Sequence, residues 1–240
     1  MAGIETVHET VETADGPMVL SIAFPTSAPR GGVVLVQEAF GVNDHIEDVG
    51  RRLAGAGYVS VAPHVYHRSG DPVVGYTDYE QILPHIQHLT EGGILDDVDA
   101  ALARLRRAGI EARSAGIVGF CMGGTISFLT AVRRSLGAAV TFYGGGVGTG
   151  RFGLPPLVEL APELKTPWLG LYGDKDQGIP VADVEKLREQ AASAKVDTEI
   201  VRYADAGHGF HCDVRGDYHE PSATDAWARA LQFFDAHLAH

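Results

Sequence analysis

Ala115-Gly116-Ile117-Val118-Gly119-Phe120-Cys121-Met122-Gly123-Gly124 decides how the rest of the chain is read. An apolar run ends in Gly-x-Cys-x-Gly, and a helix-compatible segment from Thr125 to Arg134 follows. Strand, tight turn and helix with a reactive side chain at the apex make a nucleophile elbow, here with Cys121 where serine is commoner. The turn admits only small residues two positions either side of the nucleophile, which are Gly119 and Gly123. The N-terminus of the following helix favours the thiolate over the thiol. Most free cysteines are small buried hydrophobes. Glycines at both required spacings, between a strand and a helix, set Cys121 apart from that bland reading.

The 240 residues are enough to bury a substantial core, and they suit one α/β domain spanning 1–240. Hydrophobic residues at 45% and charged residues at 21% are ordinary for a soluble globular protein. Nineteen Lys and Arg against 31 Asp and Glu give a net charge of −12, which argues against nucleic acid or an anionic membrane as partner. An anionic small molecule stays possible, because one arginine or a helix N-terminus can set the local field. The acidic stretch from Met1 to Glu12 lacks the apolar core of a signal peptide, and no run reaches the ~18 apolar residues of a membrane span. Two cysteines make no disulfide framework. A cytoplasmic enzyme is expected.

Working outward, Glu5–Thr13 and Met18–Phe24 alternate around Ala14-Asp15-Gly16-Pro17 and predict an edge hairpin. Gly32–Val36, Tyr58–Ala62, Ala138–Tyr143, Trp168–Tyr172 and Thr198–Tyr203 predict further strands, several of them continuous apolar runs buried on both faces. Helices are predicted from Asn43 or Asp44 to about Ala54, over Ile94–Arg107 and Val181–Ala194, and from Pro221 to about Leu238. The polar stretch from His64 to about Gly93 predicts a long loop excursion near the active site. Strands alternating with helices predict an α/β fold, a mostly parallel central sheet with helices on both faces.

Three strand-end loops supply what a thiol nucleophile needs, in the order nucleophile, acid, histidine. Cys121 attacks, His208 in a Gly-His-Gly loop moves the proton, and an aspartate of Gly173-Asp174-Lys175-Asp176 orients the imidazole. Asp174 and Asp176 are two residues apart, and spacing alone leaves both open. Catalytic groups in such sheets gather at the carboxyl ends of the strands, where these loops lie.

These pieces, together with Gln37-Glu38-Ala39-Phe40-Gly41-Val42-Asn43, the stretch from Pro63 to Asp71 and Ala206-Gly207-His208-Gly209-Phe210, resemble the dienelactone hydrolase (carboxymethylenebutenolidase) family. The resemblance spans most of the chain and implies the α/β-hydrolase fold. It makes Asp176 the acid of a Cys-His-Asp triad, and Glu38 the carboxylate that exchanges with the thiol and gates thiolate formation. It assigns the oxyanion hole to the backbone N–H groups of Met122 and Ala39, two donors converging as acyl transfer requires. Phe40, Tyr66, Arg68 and Tyr143 are expected to contact substrate. The family's well-studied lactonases carry an arginine four residues after the histidine; Cys212 stands there in this chain, with Arg215 three further on.

The expected activity is therefore hydrolysis of a small-molecule carboxylic ester or lactone through an acyl-thioester, by a monomer or small homo-oligomer with no cofactor. A thioesterase or general esterase would use the same residues, and a non-catalytic binding protein would be favoured by a missing triad member. His64-x-x-His67, His85-x-x-His88 and the pair His208/His211 lack the spacing and third ligand of a recognised metal site, so no metal is expected. Gly144-Gly145-Gly146-Val147-Gly148 matches no phosphate-binding motif and is expected to let the chain pass close to the site. A second thiol near Cys121 also suggests a reversible Cys121–Cys212 disulfide.

Overall fold

The computed structural model of the protein describes residues 4–239. Strands β1 (Thr6–Thr13) and β2 (Gly16–Ala23) form the predicted hairpin, with Thr13 paired to Gly16 at the turn. The remaining strands are β3 (Gly31–Val36), β4 (Tyr58–Pro63), β5 (Ala115–Phe120), β6 (Ala138–Phe142), β7 (Trp168–Gly173) and β8 (Thr198–Tyr203). All join one eight-stranded sheet in the order β1-β2-β4-β3-β5-β6-β7-β8. β2 runs antiparallel to β1 and to β4, while every pairing from β4 onward is parallel.

Every residue of β3 to β7 is buried. Successive side chains point to opposite faces, so both faces of the sheet centre must be covered. The covering helices are α1 (Asp44–Gly55), α2 (Leu83–Gln87), α3 (Glu91–Arg107), α4 (Met122–Arg133), α5 (Leu157–Leu160), α6 (Val181–Ala191) and α7 (Glu220–His237). In α1 the Asn43 side chain accepts from the Ile46 N–H, and the helix turns Ile46, Val49 and Leu53 into the core. The Arg52 guanidinium lies over the Trp227 ring and joins α1 to α7. Arg133 to Glu91 and Arg134 to Asp99 join α4 to α3.

The helix after Cys121 starts at Met122 rather than Thr125, and two other helix bounds differ from the sequence pattern by three residues. α3 starts at Glu91 rather than Ile94, because Thr90 caps it by accepting from the Gly93 N–H at 3.2 Å; Gly92 and Gly93 hide that start from a reading of propensity. α6 ends at Ala191 rather than Ala194, because the Ser193 hydroxyl and N–H both turn back onto the Gln190 carbonyl. The excursion from His64 is not structureless either. It holds single helical turns at His67–Ser69 and Tyr79–Gln81 besides α2, each too short for a periodic signal. Among the described residues no helix is long and apolar enough to cross a membrane.

Candidate active site

Cys121 stands between β5 and α4 with φ 54° and ψ −111°, backbone angles that a residue with a side chain rarely adopts. The elbow around it has no spare room. A Cβ on Gly119 would fall 1.9 Å from the Gly123 carbonyl oxygen, and one on Gly123 would fall 2.3 Å from that of Val36. The strained turn is held by the Cys121 N–H donating to the Phe142 carbonyl at 3.0 Å and the Thr125 N–H donating to the Cys121 carbonyl at 3.2 Å. As the residue that caps α4, Cys121 feels the positive end of the helix dipole.

The loops after β7 and β8 bring two partners to the sulfur. His208 Nε2 lies 3.0 Å from Cys121 Sγ, and His208 Nδ1 lies 2.6 Å from Asp176 Oδ2. The second Asp176 oxygen accepts from the Gly178 N–H at 2.8 Å, which fixes the carboxylate plane. Burial pushes the Cys121 thiol up, but the adjacent His208 charge and its hydrogen bond outweigh this and hold the thiol below its ordinary value. Burial likewise disfavours a charged His208; the Cys121 thiolate and the Asp176 hydrogen bond overcome it and raise the imidazole to about 10. Both shifts favour a thiolate–imidazolium pair at neutral pH. Asp174 is turned elsewhere: both its oxygens accept from Arg202, each at 2.7 Å.

On the other side of the sulfur, Glu38 is completely buried. Arg215 Nη1 donates to its Oε1 at 3.1 Å, while Oε2 has no hydrogen-bond partner among the described residues. Glu38 opposes thiolate formation and Arg151 favours it, since their charges push the Cys121 thiol up and down respectively. Met122 opens α4, so its N–H has no partner within the helix, and the Ala39 N–H makes no backbone hydrogen bond among the described residues. The Tyr66 hydroxyl touches both residues, 3.0 Å from the Ala39 carbonyl oxygen and 3.2 Å from Met122 Sδ. Beside these groups opens a cavity of about 580 Å³, lined by Cys121, His208, Phe40, Tyr76, Arg151 and Arg215 among others.

A model of the dienelactone hydrolase family matches residues 19–238. The chain belongs to the dienelactone hydrolase family. It is 38% identical over 240 residues to a Yersinia pestis protein named as a candidate carboxymethylenebutenolidase, covering 98% of this chain and 90% of that one. A crystal structure of a candidate dienelactone hydrolase from Klebsiella pneumoniae superposes with a TM-score of 0.89 at 38% identity, covering 97% of this chain and 98% of that one. An acylaminoacyl peptidase from Pyrococcus horikoshii shares the fold alone, at a TM-score of 0.76 and 14% identity over 99% of this chain and 42% of that one. Membership of this family makes the protein a hydrolase of the α/β-hydrolase fold.

Against the family's pattern, the four residues expected to contact substrate divide. Phe40 lines the cavity. Tyr66 does not: it is 1% exposed and spans Ala39 and Met122 from behind. Arg68 is corrected outright, because its guanidinium is spent on buried Asp97 at 2.8 and 3.0 Å and on Asp15 at 2.6 Å, tying the excursion to α3 and the hairpin. Tyr143 packs its ring 5.3 Å from that of His208, at a strained φ of 38°, and its buried hydroxyl has no partner among the described residues. Cys212 and Cys121 are both free and buried, and Cys212 Sγ donates instead to the Tyr76 hydroxyl at 3.3 Å.

In the sequence Arg215 is noted only as lying three beyond Cys212, and Arg151 is passed over; both line the cavity. Arg215 takes the place beside Glu38 that the missing arginine left in doubt, its guanidinium lying 5.6 Å from the Phe40 centroid and 5.8 Å from that of Tyr76. The loop from Cys212 reverses direction before reaching it, so a fixed spacing from His208 could not find it. Arg151 lines the cavity from the glycine-rich loop after β6, its side chain lying across Gly145 and Gly146. Its sequence signal was an arginine among glycines, which serves a turn equally well. Of the histidines in the three pairs, His64 contacts Ser21 and Asp71, His67 Asp97, His85 Ser69, His88 the Pro84 carbonyl and His208 Cys121 and Asp176, whereas neither ring nitrogen of His211 has a hydrogen-bond partner among the described residues.

Proposed function

We propose that the protein hydrolyses small carboxylic esters and lactones by covalent catalysis through Cys121, in the cytoplasm, where a free thiol stays reduced. The observation that carries this reading is the continuous contact from Cys121 Sγ to His208 Nε2 at 3.0 Å and from His208 Nδ1 to Asp176 at 2.6 Å. The thiolate attacks the carbonyl carbon, and the oxyanion forms against the Met122 and Ala39 N–H groups. His208 then gives its proton to the departing alkoxide, leaving an acyl-thioester on Cys121. Water attacks that thioester with His208 as base, the carboxylic acid leaves, and the thiolate returns. In a lactone the alcohol stays tethered, so one hydroxy acid is the product.

Asp176 holds the imidazole in the tautomer that presents Nε2 to sulfur. The unpartnered Glu38 Oε2 is the acceptor for the thiol proton when the sulfur rests unionised. Arg151 bears on substrate choice. Of the cations that line the cavity, Arg215 is held by Glu38 and Lys175 by Asp205, whereas Arg151 forms no ion pair with a described carboxylate. An anionic group on the substrate, remote from the reacting carbonyl, would find its counter-charge there. The test is a panel of lactone, aryl ester and thioester substrates assayed with the parent and with Cys121→Ala. Turnover of an ester or lactone that vanishes with Cys121→Ala supports the reading; thioester turnover alone redirects it, and turnover that survives in Cys121→Ala overturns it.

A further inference from the structure

Next to Tyr76, which lines the active-site cavity and a second cleft, lies a group of polar side chains that hydrolysis does not use. His45 stands in the first turn of α1, and Cys212 and Asp213 follow one another in the loop after β8. One potential ligand atom from each lies within 4.8 Å of the other two. His45 is 9% exposed, and among the described residues neither ring nitrogen makes a hydrogen bond: Nδ1 faces Asp213 Oδ1 at 3.8 Å, and Nε2 is buried without a partner. A buried ring nitrogen without a partner is costly and calls for an explanation. His45 and Asp213 open onto a cleft of about 550 Å³ whose rim also carries Asp44 and Asp48, so its local field attracts cations.

We propose that His45, Cys212 and Asp213 form a binding site for a divalent ion of the zinc class. One nitrogen, one sulfur and one carboxylate oxygen are the donors such an ion takes, and three protein ligands leave a fourth position for water from the cleft. Tetrahedral bonds of about 2.0–2.3 Å place ligand atoms roughly 3.3–3.8 Å apart. The spacing here must therefore contract by about an ångström, and the Asp213 side chain, 71% exposed, is free to swing in. Cys212 releases its thiol proton to solvent and binds as thiolate. Its donation to Tyr76 then ends and reverses, with the Tyr76 hydroxyl donating to sulfur. Tyr76 lines both the cleft and the active-site cavity, so the ion reports to the reaction centre through one shared side chain.

The test titrates the apoprotein with Zn²⁺ against a chromophoric chelator, and with Co²⁺ while the sulfur-to-metal charge-transfer band is recorded. Both are done in the Cys121→Ala background, which removes the other thiol–imidazole pair. One ion per chain and a charge-transfer band are expected. Cys212→Ser should abolish the band, His45→Gln should weaken binding by more than about tenfold, and Asp213→Asn should weaken it less. His45→Gln keeps the test decisive if Cys212→Ser fails to fold. Binding absent in the Cys121→Ala protein, or unchanged there by His45→Gln and Cys212→Ser, would overturn the proposal.

Discussion

Arg215 meets Glu38 at 3.1 Å in a place where Glu38 is wholly buried and the Cys121 sulfur is close enough to feel its charge. The guanidinium therefore does two things at once: it compensates a buried carboxylate and shields the thiolate from it. Removing it leaves the Glu38 charge facing Cys121. With the parent, kcat/KM should rise with pH as the Cys121 thiol, held below its ordinary value, ionises, and should fall near pH 10 as His208 loses its proton. In Arg215→Met the thiol is harder to ionise, so the acidic limb should move to higher pH, at about tenfold in neutral-pH kcat/KM per unit of displacement. The double variant Arg215→Met/Glu38→Gln should move it back. An acidic limb unmoved by Arg215→Met removes this role.

Tyr66 is predicted to act through position rather than contact. Its hydroxyl bridges Ala39 and Met122, the two residues whose N–H groups are assigned to the oxyanion. Tyr66→Phe should lower kcat by about tenfold and leave KM nearly unchanged, because misaligned donors weaken the transition state more than the ground state. A variant with raised KM and normal kcat would return Tyr66 to the substrate-contact role.

The two aspartates after β7 should separate cleanly. Asp176→Asn removes the acceptor that fixes the His208 tautomer and should cost about four powers of ten in kcat. Asp174→Asn breaks only a partly exposed pair with Arg202 and should cost about 1 kcal/mol of stability or less, with near-native turnover. Thermal unfolding and steady-state kinetics on both variants check this, and the reverse ranking would exchange their roles.

Much of the fold and of the site is legible in the sequence alone. The elbow was readable because Gly119 and Gly123 are imposed by sterics so severe that no other residue fits. The parallel strands were readable because burial on both faces forces continuous apolar runs. Spacing alone leaves Asp174 and Asp176 open and the resemblance points to Asp176; what only the fold adds is that Arg202 reaches Asp174 while His208 reaches Asp176. Arg68 misled for a related reason. A charged residue in a polar stretch near the site looks available, and its buried partner Asp97 lies 29 residues away on α3. His45 and Cys212 were invisible as a pair because they meet only when α1 packs beside the loop after β8.

Arg151 should decide discrimination between neutral and anionic substrates. Arg151→Met is expected to lower kcat/KM about tenfold for an aryl ester carrying a remote carboxylate, equivalent to about 1.4 kcal/mol, and to leave the neutral isostere unchanged. Arg151→Lys should recover most of the loss, and raising salt should erode the parent's preference. Equal losses on both esters would make Arg151 structural instead.

The acyl-enzyme itself is the most direct measurement. Rapid acid quench during turnover of an activated ester, followed by intact-mass and peptide mass spectrometry, should find the acyl group on Cys121 as a thioester. It should accumulate further in Asp176→Asn, in which His208 is a poorer base for the attacking water. It should be absent in Cys121→Ala. An acyl group on any other residue, or undiminished turnover in Cys121→Ala, would contradict the account.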